Sequence, residues 1–119
     1  MKFLIVDDSA TVKNMLIRAI KAEFPEATIV ESSDGKAAFK ELTRESFDLI
    51  ITDLEMDGVD GNSFAQKVKG NKILAKKPII IFTSKPEEAS KLDGVYVVDK
   101  ALGAEGVRKK ILELIGKKS

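Results

Sequence analysis

Three short apolar runs do most to limit what this chain can fold into: Phe3-Leu4-Ile5-Val6, Leu49-Ile50-Ile51 and Ile79-Ile80-Ile81-Phe82. Each is continuous, rich in β-branched residues and short. Strands read this way when both faces are buried, as in a parallel sheet covered by helices. Two weaker strands fit at Ala27–Glu31 and Val95–Val98.

Helical spacing fills the intervals. Val12, Met15, Leu16, Ala19 and Ile20 repeat on one face after Ser9, a good N-cap, and Pro25 follows the end. Ala38, Phe39 and Leu42 form a stripe behind Asp34, a second cap. Phe64, Ala65 and Val68 form a third behind Gly61, with Asn62 or Ser63 as its cap. Val107, Ile111, Leu114 and Ile115 share a face of a last helix over Ala104–Ile115. The order is β-α-β-α-β-α-β-(short)-β-α, which implies right-handed crossovers and a parallel α/β sheet. The fourth crossover is the odd one. Only Thr83 to Gly94 separate its strands, and Lys85–Leu92 has room for about two helical turns.

The size of the chain, 119 residues, suits one domain over 1–119 with a real core. The chain has no Cys and no His. This excludes disulfides, thiolate metal sites, Ser-His triads and His-bearing zinc sites. The 20 basic and 19 acidic residues leave a net charge of +1, which gives no bulk signal for nucleic acid. Four apolar residues before Asp7-Asp8 are too few for a signal peptide, and no run reaches the length of a membrane span. The expectation is a cytoplasmic domain.

The carboxylates fall at strand ends. Asp7 and Asp8 follow the first strand and Asp53 the third. Open α/β sheets bind ligands beyond the carboxyl ends of their strands. If the strand order is 2-1-3-4-5, an order borrowed from known sheets, strands 1 and 3 are neighbours and the three aspartates converge. Converging carboxylates either raise their pKa values or hold a cation, and an all-oxygen donor set favours a hard ion such as Mg²⁺. The plainer alternative is that Asp7 and Asp8 cap the first helix and Asp53 starts a turn. Thr83 at the end of the fourth strand and Lys100 after the fifth weigh against it. Four of five strands then deliver a polar or charged residue to one edge.

The chain resembles the receiver domain of bacterial two-component response regulators. The matching segments are Leu4-Ile5-Val6-Asp7-Asp8-Ser9, Asp48-Leu49-Ile50-Ile51-Thr52-Asp53, Met56-Asp57-Gly58-Val59-Asp60-Gly61, Ile79-Ile80-Ile81-Phe82-Thr83-Ser84 and Tyr96-Val97-Val98-Asp99-Lys100. The resemblance covers nearly the whole chain, from Phe3 to Ile115. The resemblance implies a flavodoxin-like, doubly wound, five-stranded parallel sheet of order 2-1-3-4-5, with a short or missing fourth helix. It implies that Asp53 is a phosphoacceptor. Mg²⁺ would then be held by Asp8 directly, Asp7 through water, Asp53, and the backbone carbonyl of Glu55. Lys100 would pair first with the carboxylate and later with a phosphoryl oxygen. Thr83 would donate its hydroxyl to the phosphoryl group and draw its loop inward. The implied partners are a histidine kinase or phosphotransfer protein and an unidentified downstream protein.

The chain departs from the family in several places. The fourth crossover is about one and a half helical turns short. The family's aromatic, three positions before the lysine, is replaced by Val97, and Tyr96 sits one residue earlier. One residue of shift reverses the face unless a bulge at Asp99 restores it. Ala101 stands where Pro is usual, so the preceding peptide is expected to be trans, or a strained cis. Glu55 either tunes the phosphate's lifetime or points to solvent. Asp57 replaces a frequent Pro, and Ser84 a smaller residue.

The basic run Lys67, Lys69, Lys72, Lys76, Lys77, Arg108, Lys109, Lys110, Lys117 and Lys118 has no interleaved aromatics and reads as solvated helix faces. The leading expectation is a phosphorylation-dependent receiver that signals by protein contact. It acts alone, as chemotaxis-type receivers do, or is part of a longer protein. A phosphorylation-independent binding module is the alternative. An aspartate-nucleophile phosphatase using Asp7 lacks the acidic residue at position 9, which is Ser9. A nucleotide- or flavin-binding fold lacks a glycine-rich loop after the first strand.

Overall fold

The computed structural model describes residues 1–56 and 58–116. Asp57, Lys117 and Lys118 lie outside the described residues. Five parallel strands, β1 (Lys2–Val6), β2 (Thr28–Ser32), β3 (Leu49–Thr52), β4 (Ile79–Thr83) and β5 (Val95–Asp99), form one sheet of order β2-β1-β3-β4-β5. The helices are α1 (Ala10–Glu23), α2 (Gly35–Arg44), α3 (Gly61–Lys69) and α4 (Gly103–Ile115). This is the flavodoxin-like arrangement, with strands 1 and 3 adjacent.

The apolar runs are continuous because the sheet is covered on both faces. Side chains alternate along a strand, so each run is divided between two layers. Leu4, Val6, Ile50, Ile79 and Ile81 pack with Ala38 and Leu42 of α2 and Phe64, Ala65 and Val68 of α3. Phe3, Ile5, Leu49, Ile51, Ile80 and Phe82 pack with Leu16 and Ile20 of α1 and Val107 and Ile111 of α4. Nearly all of these side chains are fully buried, and each large one contributes about 1.5–3 kcal/mol through burial.

Ser9 and Asp34 cap α1 and α2 as the sequence predicts, accepting from the amides of Val12 and Ala37. The cap of α3 is a correction. It is Asp60, whose Oδ1 accepts from the Ser63 amide at 2.8 Å, and neither Asn62 nor Ser63. Gly61 is already helical, which moves the cap upstream to Asp60.

The fourth crossover lacks an α-helix, in line with the expected short or missing fourth helix. In place of two helical turns it holds one 3₁₀ turn, Pro86–Glu88. Its few residues must travel back along a five-residue strand. Extended chain covers about 3.3 Å per residue against about 1.5 Å in a helix. After one turn the chain therefore runs extended, then turns at Asp93-Gly94, where Gly94 takes φ +77°.

β5 decides the register left open at Asp99. It pairs with β4 residue for residue, from Ile79 with Val95 to Thr83 with Asp99, with no bulge. Asp99 instead accepts from the Ala101 amide at 2.9 Å and starts the short turn Lys100–Leu102. Among the described residues there is no cis peptide, so the Lys100–Ala101 bond is trans.

Candidate functional site

The carboxyl ends of β1 and β3 lie side by side, and their backbones are tied there. The Asp53 amide donates to the Val6 carbonyl at 2.9 Å, and the Asp7 amide to the Ser32 carbonyl at 3.0 Å. This brings Asp7, Asp8 and Asp53 together, with a carboxylate oxygen from each within 4.8 Å of the others. Asp7 and Asp53 are buried, whereas Asp8 is exposed. The cap of α1 is Ser9, not either aspartate. Asp7 turns back to accept from the Ser9 amide at 2.8 Å.

Burial pushes the Asp7 carboxyl above its ordinary value of 3.8. The neighbouring charges of Asp53 and Asp8 push the same way, while the Ser9 amide and Lys100 oppose them. Asp53 is held by two donors. Its Oδ1 accepts from the Leu54 amide at 2.8 Å and lies 3.3 Å from the Lys100 ammonium. Lys100 is carried by the turn after β5 and crosses over the end of β4. Thr83 is buried at that end, and its hydroxyl accepts from the Lys85 amide at 3.0 Å.

The residues predicted at the rim fall apart into two groups. Glu55 is exposed and pairs with Lys85 at 3.4 Å, across the mouth from β3 to β4. Tyr96 is not at the mouth. Its parity along β5 places it in the α1/α4 layer, with the Lys110 ammonium 5.9 Å from the ring centroid. Val97 packs in the opposite layer, with Ile79 and Ile81, whose parity Thr83 shares. An unbroken register keeps Tyr96 on the far side of the sheet from Thr83.

The basic residues are not uniformly solvated faces, which corrects that reading. Lys69 donates to the carbonyls of Ala75 at 2.9 Å and Lys77 at 2.7 Å, and burial lowers its pKa. Lys67 lies 4.3 Å over the Phe39 ring, and Arg108 reaches Glu23 at 2.6 Å.

Sequence reasoning missed three positions beside the site. The start of α3 is pressed against the Asp53–Leu54 peptide. The Gly61 amide donates to the Leu54 carbonyl at 2.7 Å, and a Cβ on Gly61 would sit 2.3 Å from the Asp53 carbonyl oxygen. Only glycine allows that approach. Lys85 carries no signal in the sequence, and Asn62 reads there only as a cap. Their partners lie far away in sequence, so no local pattern betrays them.

The donor set suits a small, hard divalent cation. It is all oxygen and comes from three converging carboxylates, one of which, Asp7, is held back from ionising chiefly by its burial and further by its acidic neighbours. Asp7, Asp8 and Asp53 are the groups that would hold it.

Comparison with known proteins bears on the whole sheet and its edge. Residues 3–111 match the family model described as response regulator receiver domain. The chain is 31% identical over 114 residues to the gliding motility regulatory protein of Myxococcus xanthus, covering 88% of this chain and 14% of that protein. It is 33% identical over 93 residues to the transcriptional regulatory protein ResD of Bacillus subtilis, covering 78% of this chain and 37% of that protein. It thus spans well under half the length of either. The structure of the response regulator protein TrrA from Thermotoga maritima, in complex with Mg²⁺-BeF, superposes with a TM-score of 0.83 at 25% identity, covering 96% of this chain and 98% of that one. No helix among the described residues is long and apolar enough to cross a membrane.

Proposed function

From the premise that this chain belongs to the response regulator receiver domain family, we propose that it accepts a phosphoryl group on Asp53 and signals through protein contact. The observation that carries the reading is the meeting of Asp53 with Asp7, Asp8 and Lys100 at one sheet edge. A carboxylate oxygen of Asp53 attacks the phosphorus of a phosphohistidine on a histidine kinase or phosphotransfer protein. The new O–P bond makes an acyl phosphate, the P–N bond breaks, and the imidazole leaves.

Such a transfer needs alignment and charge neutralisation more than proton transfer, which suits a chain without His. The Leu54 amide fixes the orientation of the Asp53 carboxylate. Lys100, a compact charge on a flexible stem, follows the negative charge from carboxylate to phosphoryl oxygen. Thr83 gives up the Lys85 amide and turns its hydroxyl to the phosphoryl group. Asp7, Asp8, Asp53 and the Glu55 carbonyl would hold Mg²⁺, which when bound neutralises charge on the transferring group. Glu55 tunes access of donor and water, with its charge moderated by Lys85.

The segment from Thr83 onward is then a two-state element biased by phosphorylation, with a coupling of about 1–3 kcal/mol. A downstream protein in the same cytoplasm reads the biased state. The test is intact mass after incubation with Mg²⁺ and acetyl phosphate. Wild type gains one phosphate and Asp53→Asn gains none. No adduct in wild type leaves the phosphorylation-independent binding module in its place.

A further inference from the structure

The connection from Ser84 to Gly94 has little packing of its own. Ala89 is its one buried apolar residue. Its 3₁₀ turn closes with two internal bonds, from the Glu88 amide to the Lys85 carbonyl and from the Ala89 amide to the Pro86 carbonyl. The carbonyl of Glu88 and the amide of Ser90 are answered from outside, by a single side chain. Asn62 donates through Nδ2 to the Glu88 carbonyl at 2.9 Å, and its Oδ1 accepts from the Ser90 amide at 2.6 Å. An amide side chain offers one acceptor and a donor pair, so it takes the place of a neighbouring strand's peptide group.

The other end of Asn62 is fixed beside the site. It is the second residue of α3, and Gly61 before it is bonded to the Leu54 carbonyl and packed on the Asp53 carbonyl. A continuous path of contacts results. It runs from Asp53 and Leu54 to Gly61 and Asn62, then to Glu88 and Ser90, and along the connection through Lys85 to Thr83.

We infer that Asn62 is a positioning residue, which moors the connection after Thr83 to the first turn of α3 and makes the two respond to the site as one body. The inference rests on the phosphoacceptor reading. In that reading Thr83 moves toward the group on Asp53. With the mooring intact, its movement loads α3 directly, and no helix in the fourth crossover is needed to carry it.

The test uses amide NMR on the full chain as wild type, Asn62→Ala and Asn62→Asp, with Mg²⁺ and beryllium fluoride as the phosphoryl mimic. In wild type, loading shifts the amides of Thr83 and Lys100, the amides of residues 86–90, and those of Asn62 and Ser63 together. In Asn62→Ala the Thr83 and Lys100 shifts remain, but the α3 shifts fall away from those of 86–90. Without any mimic, the Ser90 amide exchanges with solvent about tenfold faster in Asn62→Ala, while the core amides of Ile5 and Ile51 keep their rates. Asn62→Asp retains the acceptor for Ser90 and loses the donor for Glu88, so its exchange lies between the two. If Ser90 exchange and the α3 shifts match wild type in Asn62→Ala, the proposal is overturned. If the core amides also speed up, Asn62→Asp decides, and wild-type behaviour there overturns it. An absence of loading shifts in wild type rejects the phosphoacceptor reading instead, and is distinguished because the exchange rates need no mimic.

Discussion

The third and fourth crossovers start from the same sheet edge and are held in opposite ways. α3 buries Phe64, Ala65 and Val68 against β1, β3 and β4. The connection between β4 and β5 buries Ala89 and is otherwise fastened by polar contacts, among them those of Asn62 and the exposed pair of Glu55 with Lys85. The first is secured by area removed from water, which is insensitive to small displacements. The second is secured by directed polar contacts, which are made or lost as units. An element meant to shift with the charge state of a nearby carboxylate is better built the second way.

The largest effect expected from breaking this contrast is in α3. Phe64→Ala removes a fully buried ring and costs about 3–5 kcal/mol, seen as a fall in the chemical denaturation midpoint. Next comes the site itself. Asp7 has a raised pKa, so the folded protein holds that proton more tightly than the unfolded chain. The stability this confers is complete below 3.8 and is lost as pH rises through the folded value. Metal-free Asp7→Asn is therefore more stable than wild type at pH 7, and the advantage disappears on acidification. Added Mg²⁺ reverses the order, because only wild type keeps the full carboxylate set. Thermal melts across pH, with and without Mg²⁺, check both signs.

The smallest effect is at the rim. Lys85→Ala removes one partner of an exposed pair and leaves the denaturation midpoint almost unchanged, since such pairs are worth at most about 1 kcal/mol. It leaves the Glu55 charge unmoderated at the mouth. Phosphorylation by anionic acetyl phosphate then slows, by at most about fivefold. A rate equal to wild type would remove Lys85 and Glu55 from any tuning role.

The sheet was legible because burial on both faces writes itself as unbroken runs such as Ile79-Ile80-Ile81-Phe82. The convergence of Asp7, Asp8 and Asp53 was legible once a strand order was borrowed, since each follows a strand. Other features depended on geometry that a single sequence does not print. Asp60 takes the cap of α3 because Gly61 can press against Asp53 and lets the helix start there. Tyr96 stays with α4 because Asp99 caps a turn and does not form a bulge. Asn62 and Ser90 are 28 residues apart, and only the missing helix brings them together. The short crossover itself was visible as a deficit of residues, but the manner of its fastening was not.

The central claim is that Asp53, and not a neighbouring carboxylate, receives the phosphoryl group. Phosphorylated wild-type protein is reduced with borohydride, which traps an acyl phosphate as a stable mass change, and is then mapped by peptide mass spectrometry. The account predicts the change on Asp53 alone. A change on Asp7 or Asp8, or one that persists in Asp53→Asn, would contradict it.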